Sequence, residues 1–172
     1  MSWYCYSDYY LRELSNRPPM EPHQRFLDMM RYLKSVAPEG RLPGRQHIDP
    51  LDFRSVISLV NLVDVDHSGS EVRFRYRLVG GTQTGYAGRE TTGLYLEDAL
   101  LPELLPRVRA NMTKVLDTRR AVFDSFPMPH PDRNFIIAQR IYYPLAGDGE
   151  TIDMLLTLHG YDPDPARGSH QD

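Results

Sequence analysis

The feature that most constrains this chain is a stripe of alternating chemistry near its middle. Val72, Phe74, Tyr76 and Leu78 interleave there with Arg73, Arg75 and Arg77. Successive side chains of a strand point to opposite faces, so this period-two pattern makes one apolar face and one cationic face. Such a strand must lie in a sheet whose apolar side, carrying Phe74, Tyr76 and Leu78, is covered by helices. The arginine row is either a contact for an acidic partner or anionic ligand, or the solvated face of a half-buried strand. The second is the commoner outcome.

Other segments supply the rest of a sheet. Residues 60–65 are rich in branched side chains and predict a strand. His67-Ser68-Gly69-Ser70 is a turn, so residues 60–79 predict an antiparallel hairpin. Three later strands are expected over 121–126, 135–145 and 151–161, with Gly147-Asp148-Gly149 turning the chain between the last two. Phe26, Met29, Met30, Leu33 and Val36 recur at helical steps and predict a helix over 23–36. Asp49 before Pro50 is a start signal for a short helix over 51–59. Helical spacing returns over 102–116. The glycine-rich run from Gly80 to Gly88 suits short helical turns rather than one long helix.

The chain starts with Trp3, Tyr4, Tyr6, Tyr9 and Tyr10, which a disordered tail would avoid. A short docked helix is expected over 8–15, broken by Pro18 and Pro19. The 172 residues fit one domain, divided as an aromatic-rich extension (1–21), the domain itself (22–162) and a polar tail (163–172). Net charge is −3 with both signs interspersed, so nucleic acid is not an expected partner. Cys5 is the single cysteine and cannot form an internal disulfide, which fits a reducing cytosol. No signal peptide and no membrane-spanning apolar run are visible, so a cytoplasmic protein without a membrane partner is expected.

Several short words in this frame are informative together. They are Leu42-Pro43-Gly44-Arg45, Ile48-Asp49-Pro50, Phe74-Arg75-Tyr76-Arg77-Leu78-Val79-Gly80, Thr92-Gly93, and Tyr143-Pro144-Leu145 before the Gly147 turn. With them, residues 26–161 resemble a bacterial PAS-domain subfamily whose members often stand alone. The order strand, strand, short helices, longer helix, three strands is also the PAS order. The resemblance implies an α+β fold: a five-stranded antiparallel sheet with helices on one face and an N-terminal helical extension. It implies a sensor or signalling module that binds a small ligand and passes its state to a separate effector protein, as a homodimer. The cavity it implies has Phe74, Tyr76, Leu78, Tyr86, Thr92, Tyr95 and Phe123 as candidate ligand-binding residues, although Thr92 could equally cap a helix. It names no cofactor. Relatives in the wider PAS class bind haem, flavin or small metabolites, and some bind nothing and dimerise.

Specific chemistries narrow the choice. The Gly80 run has no closing Gly-Lys-Ser/Thr and is not a phosphate loop. No histidine lies between Val72 and Phe126, which disfavours haem, and a flavin–cysteine adduct has only Cys5 to draw on. The pairs His47/Asp49 and His130/Asp132 fall short of the three or four ligands a metal needs. Ser55, His47 and Asp49 carry no catalytic signature, so an enzyme is not expected. The alternative function is a ligand-free interaction module that dimerises through the Phe26–Val36 stripe, a stripe for which ordinary core packing is an equal reading. In either case the segment from Trp3 to Leu14 is a candidate contact surface, the alternative being intramolecular docking on the sheet. Its deletion before Pro18 is expected to leave the fold intact and change the oligomeric state or partner capture.

Overall fold

The computed structural model describes residues 2–129 and 131–162. Strand β1 (Tyr4–Tyr6) and helix α1 (Asp8–Glu13) come first, then α2 (Gln24–Val36) and two 3-10 segments, Arg45–His47 and Pro50–Leu59. The hairpin β2 (Val60–Asp66) and β3 (Arg73–Leu78) follows. Helices α3 (Gly81–Ala87), α4 (Leu96–Ala99) and α5 (Leu105–Thr118) lead to β4 (Ala121–Pro127), β5 (Ile137–Leu145) and β6 (Met154–Asp162). The strands form one sheet in the order β1-β4-β5-β6-β2-β3. The hairpin and the three late strands thus join antiparallel through β2 and β6, and the fold is α+β and PAS-like.

The structure amends two details of the expected architecture. The sheet has a sixth strand, β1, parallel to β4. Helices also cover both faces. On the inner face Val63, Val65, Phe74 and Tyr76 pack with Leu96, Val108, Met112 and Val115. On the outer face Phe26, Met29 and Leu33 of α2 pack on Phe123, Ile141, Tyr143, Leu156 and Leu158. The α2 stripe is therefore core, and Tyr143 ties it down by donating to the Phe26 carbonyl at 2.6 Å.

Local signals act where the sequence put them, with exceptions. Asp49 accepts from the Leu51 N–H at 3.0 Å and Pro50 opens the 3-10 segment. Thr92 caps no helix; its N–H donates to the Glu90 carboxylate at 2.9 Å, and α4 starts after Tyr95. Leu78 does not face the helices. The β2–β3 register steps from Val63↔Tyr76 to Leu62↔Leu78, so Arg77 is an extra residue. Such a bulge interrupts the alternation, and Leu78 is 42% exposed. The arginine row meets acids of its own chain. Arg75 and Arg77 reach Asp64 at 3.6 and 2.8 Å, and Arg73 lies 3.7 Å from Glu97 and 3.6 Å above the Tyr95 ring.

The aromatic N-terminus docks within the molecule. The Ser7 N–H donates to the Phe123 carbonyl at 2.7 Å, extending the β1–β4 ladder. Tyr4, Tyr6 and Tyr10 meet the Phe123 ring edge-on at about 6 Å. Asp8 holds Lys114 and Glu13 holds Arg107, each at 2.7 Å. Residues 4–10 therefore dock on the sheet and core, the intramolecular alternative to a contact surface. Their anchoring reverses the deletion outcome. Removing residues 1–17 uncovers Phe123 and should destabilise the fold by about 3 kcal/mol or more, read as a lower urea midpoint. An unchanged midpoint would show that the docking contributes nothing.

A polar cluster joins α3 to the inner face. His159 is buried, with the Asn61 amide nitrogen 3.2 Å from Nε2, Thr157 Oγ1 3.3 Å from Nε2, and the Gln83 amide nitrogen 3.0 Å from Nδ1. Asn61 also accepts the Gly80 N–H at 2.9 Å, at the entry to α3. Burial first, and the nearby Arg140 second, hold the imidazole pKa well below its usual value. An imidazolium would also present N–H groups to amide donors on both sides. The unfolded chain takes up a proton near pH 6.5 that the folded chain refuses, so this contribution is intact above that pH and shrinks below it. Unfolding free energy should fall by about 1.4 kcal/mol per pH unit under pH 6.5 on this account. In His159→Gln that slope should flatten, as followed by urea titration at pH 5.5 and 7.5.

Candidate ligand cavity

The cavity follows from how the inner face is tiled. Cross-strand neighbours form rows. Phe126, Ala138 and Tyr161 make one row across β4, β5 and β6. Asp124, Arg140 and His159 make the next, and Val122, Tyr142 and Thr157 the third. Ala138 is the small residue between two aromatics. The depression it leaves is part of a cavity of about 510 Å3, a volume suited to a small organic ligand.

The floor is Asn61, Tyr76, Phe126, Ala138, Arg140 and Tyr161. The wall on one side is α3 with its flanks, through Val79, Gln83, Tyr86, Ala87, Arg89 and Thr91. Leu100, Leu101, Pro102 and Leu104 between α4 and α5, with Met128 and Pro129 after β4, complete an apolar roof. Gln83 bridges wall and floor, accepting from the Tyr161 hydroxyl while its nitrogen faces His159. Arg89 reaches the Asp98 and Ala99 carbonyls at 2.5 and 3.2 Å and pins the end of α4. A smaller hollow of about 400 Å3, with Arg25, Ser55 and Arg133 on its rim, lies behind the Tyr86–Tyr161 ring pair, whose centroids are 4.6 Å apart.

Charge on the floor is unequal. Asp124 faces Arg140 across the ladder. Yet both its oxygens are bound by Arg107, at 2.7 Å each, and one also accepts from Asn111 at 2.7 Å. Arg140 stacks on Phe126, 5.1 Å from the ring centroid, and its buried Nε has no hydrogen-bond partner among the described residues. The Tyr142 hydroxyl, near Asn111 and Arg140, is likewise buried without a partner of good geometry. Burial raises the Tyr142 and Tyr161 pKa values and pushes Tyr76 up to about 12, each opposed by Arg140. At neutral pH these phenols stay uncharged and give Arg140 no counter-ion.

Of the seven candidate residues, Tyr76 and Tyr86 line the cavity. Phe74 packs in the inner core beside it. Phe123 points to the outer face, under the N-terminal tyrosines. Leu78 and Thr92 are exposed, and Tyr95 donates to Asp66 at 3.1 Å beneath Arg73, away from the cavity. Sequence reasoning missed Arg140, Ala138, Asn61 and Gln83, and the roof at residues 99–104. The alternative metal and catalytic residues have structural tasks. His47 accepts from the Gly44 N–H at 2.9 Å and Asp49 caps its helix. His130 lies outside the described residues. Among the described residues no cluster of His, Cys, Asp or Glu could hold a metal, and no helix is long and apolar enough to cross a membrane.

No protein-family model and no curated protein matches the chain. Among solved structures it is similar to a variant of RsLOV, at 16% identity and a TM-score of 0.41 over 66% of this chain and 69% of that one. It is also similar to a sensory box sensor histidine kinase from Vibrio cholerae, at 15% identity and a TM-score of 0.40 over 80% of this chain and 96% of that one. Likenesses of this size carry no functional argument, which rests on the cavity itself.

Proposed function

We propose that this protein is a PAS-type sensor whose small ligand fills the cavity and whose state is read by a separate effector protein. The observation that supports this reading is the cavity of about 510 Å3 between a sheet packed on both faces and a roof of short helices. The role is binding rather than catalysis. The same reading makes the protein a cytoplasmic homodimer.

A ligand there touches Asn61, Tyr76 and Tyr161 on the floor and Gln83, Tyr86 and Ala87 on α3. It therefore stabilises arrangements in which α3 stays docked over arrangements in which α3 has moved. The shift is limited by the ligand's affinity difference between the two. A hundredfold difference is about 2.7 kcal/mol, enough to reverse a modest bias. The alternative, a ligand-free interaction module, is less favoured because Phe26, Met29 and Leu33 of the α2 stripe pack on the sheet.

Native mass spectrometry of the full chain, purified and then exposed to a small-molecule cell extract, tests this reading. The expected result is a dimer carrying a non-covalent small-molecule adduct. Ala138→Trp, which puts an indole into the depression, should keep the fold and reduce that adduct by about tenfold or more. An adduct-free wild type, or equal loading of the two proteins, would remove the basis for a ligand sensor.

A further inference from the structure

We propose that the cavity selects a small organic acid, with its carboxylate on the Arg140 guanidinium and its apolar body under the 100–104 roof. This rests on the cavity being a ligand site and adds the chemical class of the ligand.

The argument starts from two arginines on one face. Arg107 has a full set of acceptors: both oxygens of Asp124, Glu13 at 2.7 Å and the Ser125 carbonyl at 3.2 Å. Arg140 is the direct ladder partner of the same Asp124, and it forms no ion pair among the described residues. Its buried Nε lacks a partner, and its neighbours are the uncharged Tyr76, Tyr142 and Tyr161. Arg140 is half-buried, with the Tyr142 hydroxyl beside it and its Nε buried without an acceptor, so the guanidinium is under-supplied, and buried donors left this way are rare in folded proteins. The open side of Arg140 is the cavity. An acceptor arriving there completes the residue.

The remaining lining fixes the sign and the shape. Among the described residues no aspartate or glutamate lines the cavity, so the described lining does not favour a cationic ligand. Arg89, the other cation on the lining, is engaged with the carbonyls at the end of α4. A guanidinium presents paired N–H groups whose spacing matches a carboxylate. The Tyr76 hydroxyl, which has no hydrogen bond to a described residue, is a second donor on the same floor. Leu100, Leu101, Pro102, Leu104 and Met128 then offer an apolar slot to the rest of the molecule. A neutral sugar or a polyanion would leave that slot poorly filled.

Decanoate and decanol share an apolar chain and differ in the head group, which makes them a direct probe. Titration calorimetry on the full-length wild type should give decanoate at least about tenfold tighter binding than decanol. Arg140→Gln should bring decanoate down to the decanol level and leave decanol unchanged, whereas Arg140→Lys should keep part of the preference. Ala138→Trp should weaken both and so locate the binding. Equal affinity of the wild type for the two probes overturns the acid selectivity and leaves a ligand cavity standing. A preference for decanoate that survives in Arg140→Gln overturns the assignment to Arg140. Binding of neither probe overturns the acid proposal, and an adduct-free protein in native mass spectrometry separately overturns the sensor reading. The wild-type comparison decides the sign of the ligand even if Arg140→Gln fails to fold.

Discussion

The inner face depends on where Asp124 places its charge. The carboxylate is fully buried and is held by Arg107 and Asn111, both from α5. Removing one partner of such a buried pair typically costs about 3–5 kcal/mol, because the other charge is stranded. The pair therefore fixes α5 over β4 in one arrangement. Through Glu13 the same arginine also fastens α1, and so couples the N-terminal segment to the long helix. A consequence lies one residue across the ladder. With both oxygens of Asp124 taken, Arg140 keeps its charge and pairs with no acid among the described residues.

A floor that can hold an unpaired cation has to be rigid, and the outer face makes it so. Phe123 is fully buried and is met edge-on by Tyr4, Tyr6, Tyr10 and Phe26. Edge-to-face aromatic contacts add to area burial and fix ring orientation. The β4, β5 and β6 strands are thus packed on both sides, with α2 and the N-terminal tyrosines behind them. The side above the cavity is built differently. It consists of a seven-residue helix, a four-residue helix and connecting chain, fastened by a few side-chain bonds from Gln83, Asn61 and Arg89.

Much of this was legible in the sequence because most elements obey a period. The hairpin, α2, α5 and the late strands all show in the spacing of apolar residues, and Asp49-Pro50 marks its helix start. The three-residue β1 was not legible. It is too short to show a period, and its parallel partner is more than a hundred residues away. Leu78 was misread because a bulge is a feature of two strands together, invisible in one. Phe123 was assigned to the wrong face because β4 is buried on both sides, so its residues show no alternation to orient them. Arg140 went unnoticed for a related reason. A lone arginine in an apolar strand reads as a solvent-facing residue, and its isolation depends on what Asp124 binds, which only three-dimensional packing decides.

The two halves of the cavity give its movable part. Gly80 leads into α3 where a Cβ would collide with the Ser58 and Val60 carbonyls, so a glycine is required for the chain to pass that close to β2. Gly88 ends α3 in the left-handed region, at φ 69°. Between these two turns α3 is joined to the sheet through Gln83, which touches both His159 and Tyr161, and through the Tyr86 ring against that of Tyr161. His159 sits beside Arg140 in the same row, and Tyr161 lines the cavity with it. Whatever settles on Arg140 therefore lies against the residues that hold Gln83. A change in charge or occupancy at the floor acts directly on the side-chain ties of α3, and through Gly88 and Arg89 on α4. The sheet is packed on both faces, so under the proposed ligand reading the response falls on the α3–α4 side.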